Sequence, residues 1–146
     1  MTLYWLGNEI GTDFPPVDSA LDEPDGLLAA GGELSEERLL AAYQRGIFPW
    51  YGDGQPILWW SPDPRMVLVP REFHASRSLR RCERRLSPIV TVNRCFARVV
   101  AQCAAPRGDG HGTWITEEMT QAYCSLHARG WAHSIEVWVG DELIGG

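Results

Sequence analysis

The chain has 146 residues, 45% of them hydrophobic, and a formal net charge of −6. It can bury a core and is long enough for one domain, or for a small domain and part of another. No apolar run approaches the roughly 18 residues that span a bilayer, and the overall acidity excludes a protein that coats nucleic acid without discrimination.

Residues 11–33 are rich in Gly, Pro and Asp and read as an extended, turn-rich arm leading to Leu27-Leu-Ala-Ala-Gly-Gly32. Ser35 suits the N-cap of a helix that has Glu36 and Glu37 in its first turn. Leu39, Leu40 and Tyr43 give that helix an apolar face, and Gly46 ends it. The stretch Arg45–Arg65 then gathers Phe48, Trp50, Tyr51, Trp59 and Trp60 among Pro49, Gly52, Gly54, Pro56, Pro62 and Pro64. Proline fixes the backbone and glycine lets it turn, so this is an ordered loop. Its rings either cover the core of a small domain or wall a pocket for an apolar or planar group.

Beyond Pro64, Met66-Val-Leu-Val69 is a short strand candidate. Ser76–Leu86 suits a helix with Leu79, Cys82 and Leu86 on one face, and Ile89-Val-Thr-Val92 a second strand. Phe96–Cys103 reads as a helix ended by Pro106 and Gly108. Thr116 caps another helix, with Glu117 and Glu118 in its first turn and Gly130 at its end. Ser134–Val139 alternates as a strand does, and Gly140-Asp141 turns it into Glu142-Leu-Ile144. The pattern is that of an α+β chain, with a small N-terminal α/β domain over 1–64 and a mixed sheet with helices over 65–146. That sheet would stop at an open edge, so the chain is expected to be a fragment.

Charge is distributed unevenly. Residues 1–53 hold ten acids and only Arg38 and Arg45, whereas residues 71–98 hold eight arginines and only Glu72 and Glu83. On a helix Arg77, Arg80, Arg81 and Arg84 share one face. They either meet a phosphate-bearing partner or form a solvated face with acidic neighbours. There is no lysine, which removes Schiff-base and lysine-nucleophile chemistry. The segment Gly112-Thr-Trp114-Ile-Thr116 sets a tryptophan before a helix N-terminus, where it either staples the helix to the core or adjoins N–H groups able to receive an oxygen.

His74, His111, His127 and His133 stand beside no nucleophile motif and are read as structural. Cys82, Cys95, Cys103 and Cys124 show no Cys-x-x-Cys pair and no histidine at zinc spacing. They are expected to be buried free thiols in a reducing cytosol, with no disulfide framework and no metal site. The first residues lack a basic n-region and a cleavage site, so no secretory signal is expected.

Several segments taken in order carry a resemblance. They are Glu23-Pro-Asp-Gly-Leu-Leu-Ala-Ala-Gly-Gly32, Arg45-Gly-Ile-Phe-Pro-Trp50, Ile57-Leu-Trp-Trp-Ser-Pro-Asp-Pro-Arg65, Ser76-Arg-Ser78, Gly112-Thr-Trp-Ile115 and Trp131-Ala-His-Ser-Ile-Glu-Val-Trp138. From about Phe14 onward the chain resembles the bacterial leucyl/phenylalanyl-tRNA–protein transferases. The resemblance implies transfer of Leu or Phe, and less readily Met, from an aminoacyl-tRNA to proteins beginning with Arg or Lys. The new residue would mark those proteins for the N-degron pathway. It further implies that 65–146 is the first part of a Gcn5-related acetyltransferase-like domain, incomplete at its C-terminus. No cofactor is implied, and the protein is expected to be a cytoplasmic monomer.

By the same likeness, Trp50 and Trp114 match tryptophans at the pocket for the aminoacyl end of the tRNA; that leaves Trp59 and Trp60 expected to anchor the loop at the domain junction. Arg80, Arg81, Arg84 and Arg85 match a basic cluster that holds the acceptor stem. The family's catalytic residues are expected beyond Gly146, so none is assigned within the chain. Glu136 and Asp141 read as surface or hairpin residues, and the chain alone is expected to be inactive. The alternatives are a non-catalytic tRNA or single-strand binding module, and a protein-interaction domain whose rings are core.

Overall fold

A computed structural model describes residues 2–7, 11–105 and 113–146. Its elements run β1 (Tyr4–Leu6), β2 (Leu27–Gly31), α1 (Glu36–Gln44), β3 (Phe48–Pro49), β4 (Leu58–Trp60) and α2 (Arg77–Leu86). Then come β5 (Ile89–Val92), α3 (Phe96–Ala104), α4 (Glu117–Ala128), β6 (Ile135–Val139) and β7 (Glu142–Gly145). One sheet has the order β1-β2-β4-β3, the other β5-β6-β7. This is an α+β fold, as the sequence predicts.

Helix starts follow the capping residues. The hydroxyl of Ser35 accepts the N–H of Arg38 at 3.3 Å, that of Ser76 the N–H of Leu79 at 3.1 Å, and that of Thr116 the N–H of Met119 at 3.2 Å. Each bond satisfies one donor that the first helical turn leaves open.

The first sheet departs from the sequence reading. Leu27–Gly31, expected within an extended arm, is an inner strand, parallel to β1 and antiparallel to β4. Ala29 and Ala30 are fully buried. Their small side chains admit the bulky neighbours, and Ala29 pairs directly with Trp59. Packing decides this strand, since the segment has no β-branched residue. The aromatic stretch likewise contains a short antiparallel pair, β3 on β4, with Pro49 in the edge strand where its missing N–H is not required. Conversely, the strand expected at Met66–Val69 does not form. Among the described residues no strand pairs with it, and Met66, Val67 and Leu68 are exposed.

The main core joins Leu28, Leu39, Ala42, Ile47 and Trp59 to Met119 and Leu126 of α4. The buried indole of Trp59 donates to the Gly31 carbonyl at 3.0 Å and meets the Phe14 ring edge-on, with centroids 5.0 Å apart. Helix α4 therefore contributes to the first sheet's core. It also reaches both neighbouring helices, through an Arg129–Glu36 ion pair at 3.0 Å to α1 and a His127–Phe96 ring stack at 4.1 Å to α3.

Close packing at Gly26 and an ion pair at Glu33 help to fix the arm. Gly26 has φ +80, and a Cβ there would stand 2.4 Å from the Pro62 Cα, so a side chain would strike backbone. Buried Arg38 pairs with Glu33 at 2.9 Å. Burial pushes the Glu33 carboxyl up, but its bonds from Arg38 and Ser35 outweigh that and hold it below the ordinary carboxylate value.

In the second sheet, antiparallel throughout, Thr91, Glu136, Trp138 and Leu143 share the face toward α3, where Val99 completes a small apolar cluster. The opposite face carries Val90, Val92, Ile135 and Ile144, all exposed. Glu136, read from sequence as a surface residue, is fully buried. Its carboxylate accepts from the hydroxyls of Thr91 and Ser134, each at 2.5 Å, and from the backbone N–H of Arg94 at 3.2 Å and Cys95 at 3.4 Å. Burial pushes this carboxyl up, but the donors from Ser134, Thr91, Cys95 and Arg94 prevail and lower it from 4.5 to about 2. The carboxylate thus ties β5, β6 and the start of α3 together. The cysteines also differ from expectation: Cys82, Cys95 and Cys124 are only half-buried, and Cys103 is exposed.

Candidate functional site

A cleft of about 580 Å³ opens where the aromatic stretch meets the segment before α4. Its walls include Trp50, Tyr51, Leu58, Trp60, Thr113 and Trp114, with Asp53 and Gln55 also lining it. The structure thus brings the two sequence-selected tryptophans to one cavity. Trp50 is 53% exposed and Trp114 42% exposed, so neither indole is core.

Local bonding fixes the first wall. The Trp50 N–H donates to the Leu58 carbonyl at 2.9 Å, and the Trp60 indole N–H donates to the Trp50 carbonyl at 2.7 Å. The Trp50 and Trp60 rings lie 6.1 Å apart with planes tilted by 55°. Buried Tyr51 carries the connection onward. Its hydroxyl donates to Glu118 at 3.3 Å and lies 3.5 Å from the Thr116 hydroxyl, at the start of α4. Burial, first of all, pushes the Tyr51 phenol up from its ordinary value. The second wall is set by Thr113, whose hydroxyl accepts the Ile115 N–H at 3.0 Å.

Trp114 also lines a second, apolar cleft of about 390 Å³ between α3, α4 and β6, with Phe96, Val99, Met119 and Ile135. Tyr123 lines this cleft, and its hydroxyl is hydrogen-bonded to that of Tyr43 on α1. The sequence reading named Tyr51 and Trp60 among the rings of the aromatic stretch but selected only Trp50 and Trp114 for the pocket; in the structure all four line the cleft.

Arg80, Arg81, Arg84 and Arg85 are exposed on α2, a helix with no buried residue. Among the described residues none of the four forms an ion pair. The acidic neighbours allowed for in the sequence do not reach them, and the positive face is open. Of the histidines, His127 is structural, stacked on Phe96 and 2.8 Å from the Ala132 carbonyl, while His133 meets Asn93 at 2.9 Å. His74 is exposed; His111, Gly112, Pro106 and Gly108 lie outside the described residues. Asp141 is exposed in the β6–β7 turn.

A paired-indole cleft can stack a planar group, and an open arginine face can hold phosphates without reading sequence. The family profile described as leucyl/phenylalanyl-tRNA protein transferase matches residues 67–146, and the profile for that family's N-terminal domain matches residues 32–63. The chain belongs to this family. Leucyl/phenylalanyl-tRNA–protein transferases from Pseudomonas paraeruginosa and Pseudomonas syringae pv. tomato are 60% and 59% identical to it over 144 residues, 99% of this chain. The homologue from Aromatoleum aromaticum is 59% identical over 97% of the chain. The chain spans 63%, 62% and 59% of those relatives' lengths. Both family segments contribute to the cleft, with Trp50 inside the N-terminal match and Trp114 inside the other.

Proposed function

We propose that the chain supplies the tRNA-binding half of an aminoacyltransferase that moves Leu or Phe, and less readily Met, from aminoacyl-tRNA to proteins beginning with Arg or Lys. The product would be marked for degradation by the N-degron pathway. The observation that carries this reading is the convergence of Trp50 and Trp114, distant in sequence, on one half-open cleft. Family membership gives the reaction its chemical class.

In that reaction the α-amine of the acceptor loses a proton and attacks the ester carbonyl. The C–N bond forms, the C–O bond to the terminal ribose breaks, and the proton passes to the ribose oxygen. The ester is already activated, so holding its end in place is a large part of the task. Trp50 and Trp114 stack the terminal adenosine, and apolar surroundings favour Leu and Phe over charged side chains through desolvation. Arg80, Arg81, Arg84 and Arg85 hold acceptor-stem phosphates, which positions the tRNA without selecting its sequence.

Residues 1–64 would form the N-terminal domain, and residues 65–146 part of an acetyltransferase-like domain. A cytoplasmic monomer suits this role, and among the described residues no helix is long and apolar enough to cross a membrane.

Binding of phenylalanyl-tRNA and of uncharged tRNA to the chain tests the reading. The parent should bind the charged form more tightly, and Trp50→Ala or Trp114→Ala should each weaken binding by about tenfold, within the range of a lost base–aromatic stack. Equal binding by parent and both variants would remove the cleft from the reading.

A further inference from the structure

We propose that Arg94 and Arg98 form a second phosphate-binding point for the tRNA, separate from the arginine face of α2. This inference rests on the tRNA-binding reading above. Arg94 immediately precedes the cap of α3, and Arg98 lies one turn further along. Both are exposed. Both guanidinium groups lie over the same indole, that of Trp138, at 4.6 Å and 5.6 Å from the ring centre. The indole is itself buried and fixed, its N–H donating to the Thr91 hydroxyl at 2.9 Å.

Two like charges held over one ring repel each other, and the ring's negative face compensates only in part. Among the described residues no acid forms an ion pair with either arginine. Glu136 accepts the backbone N–H of Arg94 at 3.2 Å. That carboxylate is buried and already engaged by Thr91, Ser134 and Cys95, so it is not available to the guanidinium groups. The planar forks are left facing solvent and match phosphate oxygens. Because the indole already orders them, a phosphate that binds there loses less side-chain freedom than it would at unrestrained arginines.

The partner is a polyanionic strand and not a single small anion. The arginine-rich helix α2 and the α3 pair follow one another in the chain, separated by β5, and a strand that carries many phosphates offers a contact to each. Trp138 then has two roles: it fills the cluster with Val99 and Leu143, and it presents the cations.

The experiment measures tRNA affinity against salt for three proteins: the parent, Arg94→Gln/Arg98→Gln and Arg94→Lys/Arg98→Lys. Each phosphate contact adds a slope of about 0.7 to 0.9 in log affinity against log salt. The Gln pair should lose about 1.5 units of slope, which is roughly tenfold less affinity lost between about 50 and about 200 mM salt. The Lys pair keeps the charge and should retain most of the slope. Equal slopes in parent and Gln pair, or a Lys pair as flat as the Gln pair, would overturn the proposal. A parent that binds no tRNA would overturn the functional reading itself, so the two failures are distinct.

Discussion

Glu136 shows how a single buried carboxylate can organise three elements. It is a fully buried charged group on the inner face of the second sheet, and it persists there because four donors converge on it. Its lowered pKa makes it a source of stability that depends on pH. That stability is fully present above the ordinary value of 4.5 and is lost as pH falls through the folded value of about 2. The melting temperature should therefore be level above about pH 4.5 and decline below it. Glu136→Gln should melt lower at neutral pH and decline less across that window, because its amide cannot accept all four donors and does not titrate. Parallel melting curves for the two proteins would show that Glu136 does not carry this term. None of this was legible in the sequence, where Glu136 reads as one polar position of an alternating strand. Alternation does not say which face is buried, and here the polar residue faces inward.

At the scale of elements, α2 stands out as a helix whose residues all lie at the surface or only half-buried. Ser76 caps it and no residue of it is buried, so little of its stability comes from packing. Its arginines repel along one side, and an open positive helix is stable only marginally unless a partner supplies anions. Changing Arg80, Arg81, Arg84 and Arg85 to Gln should raise the helix content of the free chain slightly or leave it level. It should also flatten the salt dependence of tRNA binding by about 3 units of slope. Circular dichroism and a salt titration read these two effects separately, and an unaltered slope would mean that the four arginines do not meet phosphate.

The sequence was informative about helices because their caps and periodicity are local. Ser35 and Thr116, read as caps, marked two starts correctly, and the helix expected from Ser76 begins there with Ser76 as its cap. It was less informative about strands, which exist by pairing. Leu27–Gly31 became a strand through neighbours on both sides, while Met66–Val69 has strand-like composition and no neighbour among the described residues.

Across the whole molecule, the tryptophans divide between core and cleft. Trp59 is fully buried, Trp138 nearly so, and Trp50 and Trp114 stay open at one cleft. The order of residues in the aromatic stretch pointed to the family, but their distribution between core and cleft required the fold. Tyr51 makes that distribution work. It crosses from the stretch to Glu118 and so holds the two walls of the cleft in register.

The chain has seven tryptophans, and their indole N–H resonances are separate reporters. Titration with an amide-linked phenylalanyl-adenosine tests the central claim most directly. The Trp50, Trp60 and Trp114 signals should shift together and saturate with one affinity, while those of Trp59 and Trp138 stay in place. Absence of any shift at Trp50 and Trp114, or saturating shifts confined to other tryptophans, would contradict the assignment of this cleft to the aminoacyl end of the tRNA.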